Sequence, residues 1–559
     1  MQLSHSLKLW SLESNSWLVA FYHRVEIRGF VKLTSLSAEG YLQVHGYSLS
    51  SAESVEVISP PGYHNGVLEV SFTSEMPAEI PALEDIERAV GCHSISLPAV
   101  YDEVKQYLLQ HPESALIHLQ QVENPRLGPI MQLLPNVKMG DGFISLGESS
   151  YISEHGTEAR YSATVHSALD HLVDRHSAGE PLCVVVCGAK NIGKSTLIKY
   201  IINKLLKLSK KGVAHLDCDP GQCEFSPPGT LTLHTVTSPL LGPAWYNVPV
   251  KVDNSKLYGA MSADIDPDGY LRCVRQLVQQ YRSGDTKHLP LLVNTMGWTQ
   301  GLGLHLLSAT VAEVRPTHVI QLCSEGLSYH NFSELSVLNL SSHDMFIPSE
   351  ISSTMHKFLD YELIPLVMSH IQKLKFESDV LRPILCRDLM TTSYMLKSSR
   401  PTSRIVNEIT PYRVSMSNIA LCFGAEPLPA RLWSEAITMQ VVVLCSAAPD
   451  VVADVEGSAY KTVTGDGAAA LSVVGYGLVR AVDDCRQCLY VSTPLSPTHL
   501  ARVNVLYKLH GSITPEMWFF QQVGWVSDGK GLPFVSKRLS GAGFVSTASA
   551  KYKFRKSKN

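Results

Sequence analysis

A glycine-rich loop set between a strand and a helix constrains this chain more than any other feature. Leu182-Cys183-Val184-Val185-Val186-Cys187 runs straight into Gly188-Ala189-Lys190-Asn191-Ile192-Gly193-Lys194-Ser195-Thr196. The loop has the Gly-x-x-x-x-Gly-Lys-Ser spacing of a P-loop. Residues 197–206 follow with apolar side chains at helical spacing. Strand, glycine loop and helix in that order separate a nucleotide site from a chance match. Glycines let backbone N–H groups turn inward around a phosphate, and the helix N-terminus adds partial positive charge there. Residues 188–196 are therefore expected to hold a nucleotide, with Lys194 reaching its terminal phosphates and Ser195 holding Mg²⁺.

The rest of the composition narrows the class without deciding it. A chain of 559 residues with 45% hydrophobic and 18% charged residues is long enough for several globular domains. A net charge of −4 gives no global sign of nucleic-acid binding, so any basic surface must be local. The 12 cysteines form no framework, and several lie in apolar runs, which suits reduced, buried thiols. Cys485-x-x-Cys488 has no second pair at zinc spacing. Met1–Trp17 lacks the pattern of a signal peptide, and no apolar stretch is long enough to span a bilayer. A soluble intracellular protein is expected, without membrane contact.

The expected fold is α/β: a central P-loop kinase-like parallel sheet with helices on both faces, flanked by N-terminal and C-terminal β-rich domains. Residues 1–158 read as the N-terminal unit. Strands are expected at 16–22, 24–29 and 66–72, a helix at 101–109, and a polar, glycine-rich linker near 137–157. Residues 159–400 read as the P-loop domain. Strands at 182–187, 212–217, 289–294 and 317–322 alternate with helices at 270–281 and 302–314, and a further helix is expected at 355–373. Residues 401–559 return to β, with strands at 440–445, 471–480 and 489–492. The last nine residues hold five Lys or Arg, a tail that suits RNA contact or a nuclear address.

The second strand of the central unit ends in Asp217-Cys218-Asp219-Pro220-Gly221-Gln222. Ligands of open α/β sheets bind outside the carboxyl ends of the strands, which is where both carboxylates would sit. One can bind Mg²⁺, and the other can take a proton from an attacking hydroxyl. The chain has no guanine-reading Asn-Lys-x-Asp and no Leu-Ser-Gly-Gly-Gln stretch. The extra lysine of partitioning ATPases would fall on Ala189, and Lys190 is one residue away. A kinase-like P-loop protein remains.

Four motifs in order make the resemblance specific. Gly188–Thr196, Asp217–Gln222, Pro227-Pro228-Gly229 and Asn294-Thr295-Met296-Gly297-Trp298 resemble those of the polynucleotide 5′-hydroxyl kinases of RNA processing. Ser16–Gly29, Ile409–Val414 and Tyr490–Leu495 resemble the flanking domains of the nucleolar, pre-ribosomal branch of that family. The resemblance implies roles at matching positions. Lys194 would stabilise the transferred phosphate. Asp217 and Asp219 would divide metal binding and base work, with Asp219 as the base, and Gln222 would support the metal. Trp298 would stack on an RNA base, held by the turn that contains Asn294 and Thr295. Stacking on an aromatic ring tolerates any base. A lid bearing Arg382 and Arg387, within Leu381–Leu389, would neutralise charge on the moving phosphoryl group.

Together these imply an ATP- and Mg²⁺-dependent kinase of RNA 5′-hydroxyl ends, in the nucleus and nucleolus. Its RNA would be a pre-rRNA spacer product in large ribosomal subunit biogenesis, and its partner the endonuclease that leaves the 5′-hydroxyl. The rivals are a non-catalytic ATP-binding assembly factor, an NTPase that drives remodelling, and the tRNA- or mRNA-processing branch of the same family.

Overall fold

The computed structural model describes residues 7–13, 15–37, 42–60, 68–72, 80–90, 97–122, 124, 127–131, 134, 143–146, 150–153, 161–252, 254–324, 335, 360–368, 383–397, 409–424, 428–464 and 467–510. Among the described residues, three sheets of ten, seven and eight strands occupy successive parts of the chain. Arg382 and the basic tail at 551–559 lie outside the described residues.

The seven-stranded sheet carries the P-loop. Its strands are β1 (Cys183–Cys187), β2 (Val213–Asp217), β3 (Thr230–Val236), β4 (Ser255–Leu257), β5 (Leu291–Asn294), β6 (His318–Cys323) and β7 (Glu362–Val367), in the order β4-β3-β2-β5-β1-β6-β7. Strands β2, β5, β1, β6 and β7 are parallel. Strands β3 and β4 add an antiparallel edge. Its helices are α1 (Ala163–Ser177), α2 (Lys194–Leu206), α3 (Pro267–Ser283) and α4 (Leu302–Val314).

The unbroken valine run of β1 has a direct cause. Val185 packs on one face with Tyr270, Leu277 and Leu306 of α3 and α4. Val184 and Val186 pack on the other with Leu169 and Leu172 of α1 and Ile198 and Ile201 of α2. A parallel strand covered on both faces has no solvent side to mark with polar residues.

Two expectations require correction. The helix expected at 355–373 is replaced, within the described residues 360–368, by the edge strand β7. Pro365 is tolerated there because an edge strand needs only one side of its ladder, whereas a helix interior would lose a bond and clash. The linker expected near 137–157 contains two strand segments, Ile144–Ser145 and Tyr151–Ser153. The second pairs with the long strand Arg24–Ser35 and so extends the N-terminal sheet.

Helix α5 (Pro383–Leu396) joins the three parts. Leu389, Tyr394 and Met395 share one core with Phe30 and Ile58 of the N-terminal sheet, Trp245 beside the central sheet, and Val441 and Tyr476 of the C-terminal sheet. The N-terminal sheet also grips α2 directly. Asn203 Nδ2 donates to His45 O at 3.0 Å, and Lys207 Nζ meets Glu53 Oε2 at 2.7 Å. Gly46 has φ +82°, and a Cβ there would lie 2.8 Å from Tyr200 O. Gly46→Ala should therefore cost about 1–3 kcal/mol of stability, measured by urea unfolding, through both strain and overpacking.

Candidate active site

The P-loop is shaped by three residues with positive φ, Gly188 (154°), Asn191 (64°) and Gly193 (102°). Gly193 caps α2, so Lys194 is its first residue. Both β1 and α2 are buried, so the loop between them has little freedom. Lys194 is buried and folds back over the loop, donating to Gly188 O at 2.9 Å and Ala189 O at 3.0 Å. Burial pushes its ammonium down to about 8, although Asp219 and Asp217 pull the other way. A phosphate group would offer the opposite charge that this lysine lacks.

Asp217, at the end of β2, is held by donors on both oxygens. Its Oδ1 accepts from Asp219 N at 3.1 Å and Asn294 Nδ2 at 2.9 Å, and its Oδ2 accepts from Glu224 N at 2.8 Å. Burial, reinforced by the Asp219 charge, pushes its carboxyl up to about 6. Asp219 is more open. Its Oδ1 accepts from Gly221 N at 3.0 Å and Gln222 N at 3.2 Å, and no described residue donates to its Oδ2.

The two carboxylates thus differ in what they can do. Asp217 is fixed, and Asp219 keeps an oxygen for a proton or a ligand. Asn294 Oδ1, beside Asp217, is buried and accepts no hydrogen bond among the described residues. That orphaned acceptor, the Asp217 carboxylate, and the Ser195 and Gln222 side chains that line a nearby pocket are oxygen donors of the kind a hard divalent cation and its waters take.

A pocket opens from the start of α2. Ser195, Thr196 and Lys199 form one side, Gln222, Glu224 and Ser226 another, and Cys386, Arg387 and Met390 of α5 the third. The structure thus brings Ser195, Gln222 and Arg387 to one cavity. Burial pushes the Arg387 guanidinium down, while Asp388, Cys386 and Asp219 pull it up. Lys199 and Glu224 are charged groups that the motif reading missed. Lys199 Nζ lies 3.4 Å from Glu224 Oε1, and Asn247 Nδ2 donates to the same oxygen at 2.8 Å. Lys199 stands four residues after Ser195, so helical spacing alone places it on the same face. Nothing in the sequence marked Glu224 as its partner.

The residues expected on the RNA side separate. Asn294 and Thr295 are buried, and both bond inward: Asn294 to Asp217, and Thr295 Oγ1 to Val186 O at 2.9 Å. They hold the fold under the site rather than present a surface. Trp298 is half-buried, packed against the core of the central sheet and above Gly303. Gly297 has no room for a side chain, since a Cβ would lie 2.7 Å from Lys190 Cα and 2.8 Å from Lys190 N. The turn after β5 therefore packs directly on the P-loop. Among the described residues no group of three or more His, Cys, Asp or Glu stands together as a metal site. No helix there is long and apolar enough to cross a membrane.

Residues 188–350 match the family model described as mRNA cleavage and polyadenylation factor CLP1 P-loop. Within that segment the chain is similar to a Clp1-type P-loop. A loop of this form is built to hold the phosphates of a nucleotide. The chain is similar to curated proteins named polynucleotide 5′-hydroxyl-kinase NOL9. It is 29% identical to that of Mus musculus over 63% of this chain and 51% of the relative. For Danio rerio the figures are 32%, 64% and 49%. The polynucleotide 5′-hydroxyl-kinase GRC3 of Gibberella zeae is 29% identical over 54% of this chain and 42% of its own length. The chain thus spans about half the length of these relatives.

Among solved structures, the wild-type Clp1p–Pcf11p complex matches with a TM-score of 0.52 at 13% identity. The match covers 89% of this chain and 98% of that one. This supports a shared fold: an α/β P-loop domain flanked by β-rich regions.

Two outcomes follow from the geometry. Gly297→Ala should push Lys190 out of place and weaken ATP binding by about tenfold or more, read with a fluorescent ATP analogue. Lys194 has a lowered pKa in the free protein, so above pH 8 it must gain a proton when phosphate binds. ATP affinity should fall as pH rises through about 8, by up to about tenfold per unit. Calorimetry in buffers of different ionisation enthalpy would detect the proton uptake.

Proposed function

We propose that this protein is an ATP-dependent polynucleotide 5′-hydroxyl kinase that phosphorylates RNA. The reading is carried by the packing of the Asn294–Trp298 turn on the P-loop: Gly297 lies against Lys190, and Asn294 bonds to the carboxylate of Asp217. Phosphate-donor machinery and an aromatic side chain able to meet a nucleobase are thereby built as one unit. Similarity to the NOL9 and GRC3 kinases supports the same reading.

In the proposed reaction the 5′-oxygen of RNA attacks the γ-phosphorus of ATP in line. A new P–O bond forms, the bond to the β-phosphate bridging oxygen breaks, and ADP leaves. The 5′-hydroxyl proton passes to Asp219, whose Oδ2 is open. Lys194 releases the Gly188 and Ala189 carbonyls and turns to the phosphates. Arg387 faces the same cavity and shares the charge that moves. Asp217, Ser195 and Gln222 would hold Mg²⁺, which when bound neutralises phosphate charge. Trp298 stacks on a base of the acceptor. Asn294 orients Asp217, a role that replaces the RNA contact expected for it.

The RNA is a pre-rRNA spacer product with a 5′-hydroxyl, and the partner is the endonuclease that generates it. The place of action is the nucleolus. Resemblance to the nucleolar branch supports these assignments.

Transfer of labelled γ-phosphate from ATP to a 5′-hydroxyl oligoribonucleotide is the test. Wild-type protein should label the RNA, and Lys194→Ala should abolish labelling. Phosphate released only to water, or full activity in Lys194→Ala, would contradict the reading. Trp298→Ala should raise the acceptor KM by roughly tenfold, because stacking is worth about 1–3 kcal/mol per base. Asp217 is protonated below its raised pKa, so activity should fall as pH drops through about 6, visible as the acidic limb of the kcat/KM profile.

A further inference from the structure

Two walls of the pocket come from segments far apart in sequence, and one residue of the C-terminal sheet touches both. Tyr476 lies in the strand Ser472–Asp483 and is fully buried. Its hydroxyl donates to Pro227 O at 2.9 Å and lies 2.9 Å from Thr230 Oγ1. Thr230 Oγ1 in turn lies 2.7 Å from Ser226 Oγ, which lines the pocket. This side of Tyr476 pins the segment that follows Asp219.

The other side pins α5. Tyr476 N donates to the Tyr394 hydroxyl at 3.1 Å, and the two rings meet edge to face at 5.6 Å. Tyr394 then donates to Val250 O at 3.1 Å. The approach is close enough to exclude a side chain at the preceding position, since a Cβ on Gly475 would lie 2.6 Å from the Tyr394 hydroxyl. Tyr394 stands seven residues after Arg387, two turns along one face of α5.

A displacement of Tyr476 would therefore shift Arg387 and the Gly221–Thr230 segment relative to each other. Both contacts are buried, so water cannot replace them without cost.

We propose that Tyr476 is a positioning residue, through which the C-terminal domain sets Arg387 at its working distance from the acidic loop. Tyr476 itself touches neither nucleotide nor RNA. The proposal rests on the kinase reading above. It makes the C-terminal domain part of the active-site frame rather than an appended module.

Tyr476→Phe in the full chain keeps the ring contact and the backbone bond to Tyr394, and loses only the hydroxyl contacts. The measurement is steady-state phosphate transfer to a 5′-hydroxyl oligoribonucleotide, at a temperature where circular dichroism shows each variant folded. The kcat should fall by about 10- to 100-fold, as expected for a misplaced catalytic group. The ATP KM should stay within about twofold, because P-loop contacts are untouched. Loss of folded protein would also lower the apparent kcat at constant KM, so each kcat is normalised to the folded fraction read by circular dichroism.

Arg387→Lys supplies the second readout. If Tyr476 acts through Arg387, the double variant should be within about twofold of Arg387→Lys alone. Should Tyr476→Phe fail to fold, Thr230→Val removes one of its two hydroxyl contacts, together with the Thr230–Ser226 contact, and takes its place. A kcat within about twofold of wild type, or losses that multiply in full in the double variant, would overturn the proposal. Wild-type protein that transfers no phosphate would overturn the kinase reading and this proposal together. An active wild type with an unaffected Tyr476→Phe overturns the proposal alone.

Discussion

The buried carboxylate of Asp217 is the point from which the rest of the site is arranged. It accepts one bond from its own loop at Asp219, one from the next segment at Glu224, and one from the end of β5 at Asn294. Taking a carboxylate out of water is costly, and three N–H donors offset that cost only if all are in place. The arrangement therefore imposes register. Strand β2 must lie beside β5, the loop must double back after Pro220, and Glu224 must arrive under the carboxylate. The pairing of Asp217 with Asn294 across β2 and β5 meets the first condition.

That register carries outward in two directions. Through Asn294 it sets the turn that ends in Trp298, and through Gly297 that turn bears on the P-loop at Lys190. Through Glu224 it sets a buried charge pair with Lys199 of α2, under the pocket. The phosphate-binding loop, the acidic pair and the aromatic turn are thus mechanically one object. Movement in any one of them strains the others, because protein interiors are packed like solids and transmit displacement. The shared core that runs from Phe30 through Trp245 and Tyr394 to Tyr476 ties the flanking sheets to this object.

Much of this was legible in the sequence where local chemistry is unambiguous. The P-loop needs its glycines whatever surrounds it, and the runs 182–187, 212–217, 289–294 and 317–322 read as buried parallel strands because both of their faces are covered. Other elements were hidden for physical reasons. Strand β7 contains Pro365 and lies between stretches with helical apolar spacing, so a short run could not be told from a helix. Strands β3 and β4 follow β2 as an antiparallel edge, although the period-two pattern of Thr230–Val236 was there to be read. Asn294 and Thr295 sit in a motif associated with RNA, yet their side chains turn inward. A motif records which residues occur together and not which way each one faces.

The sequence by itself determined the half of the site proposed to hold the phosphate donor: a P-loop, a lysine, a serine and two carboxylates at the end of a strand. These depend on spacings of a few residues and on backbone conformations that glycine and asparagine adopt most readily. Only the tertiary structure decided the other half. It placed Arg387 against a pocket floored by Lys199 and Glu224, turned Asn294 onto Asp217, and brought Tyr476 from the C-terminal sheet to both pocket walls. Those contacts join residues up to 249 positions apart. No local propensity encodes them, because they exist only once three sheets have buried a common core.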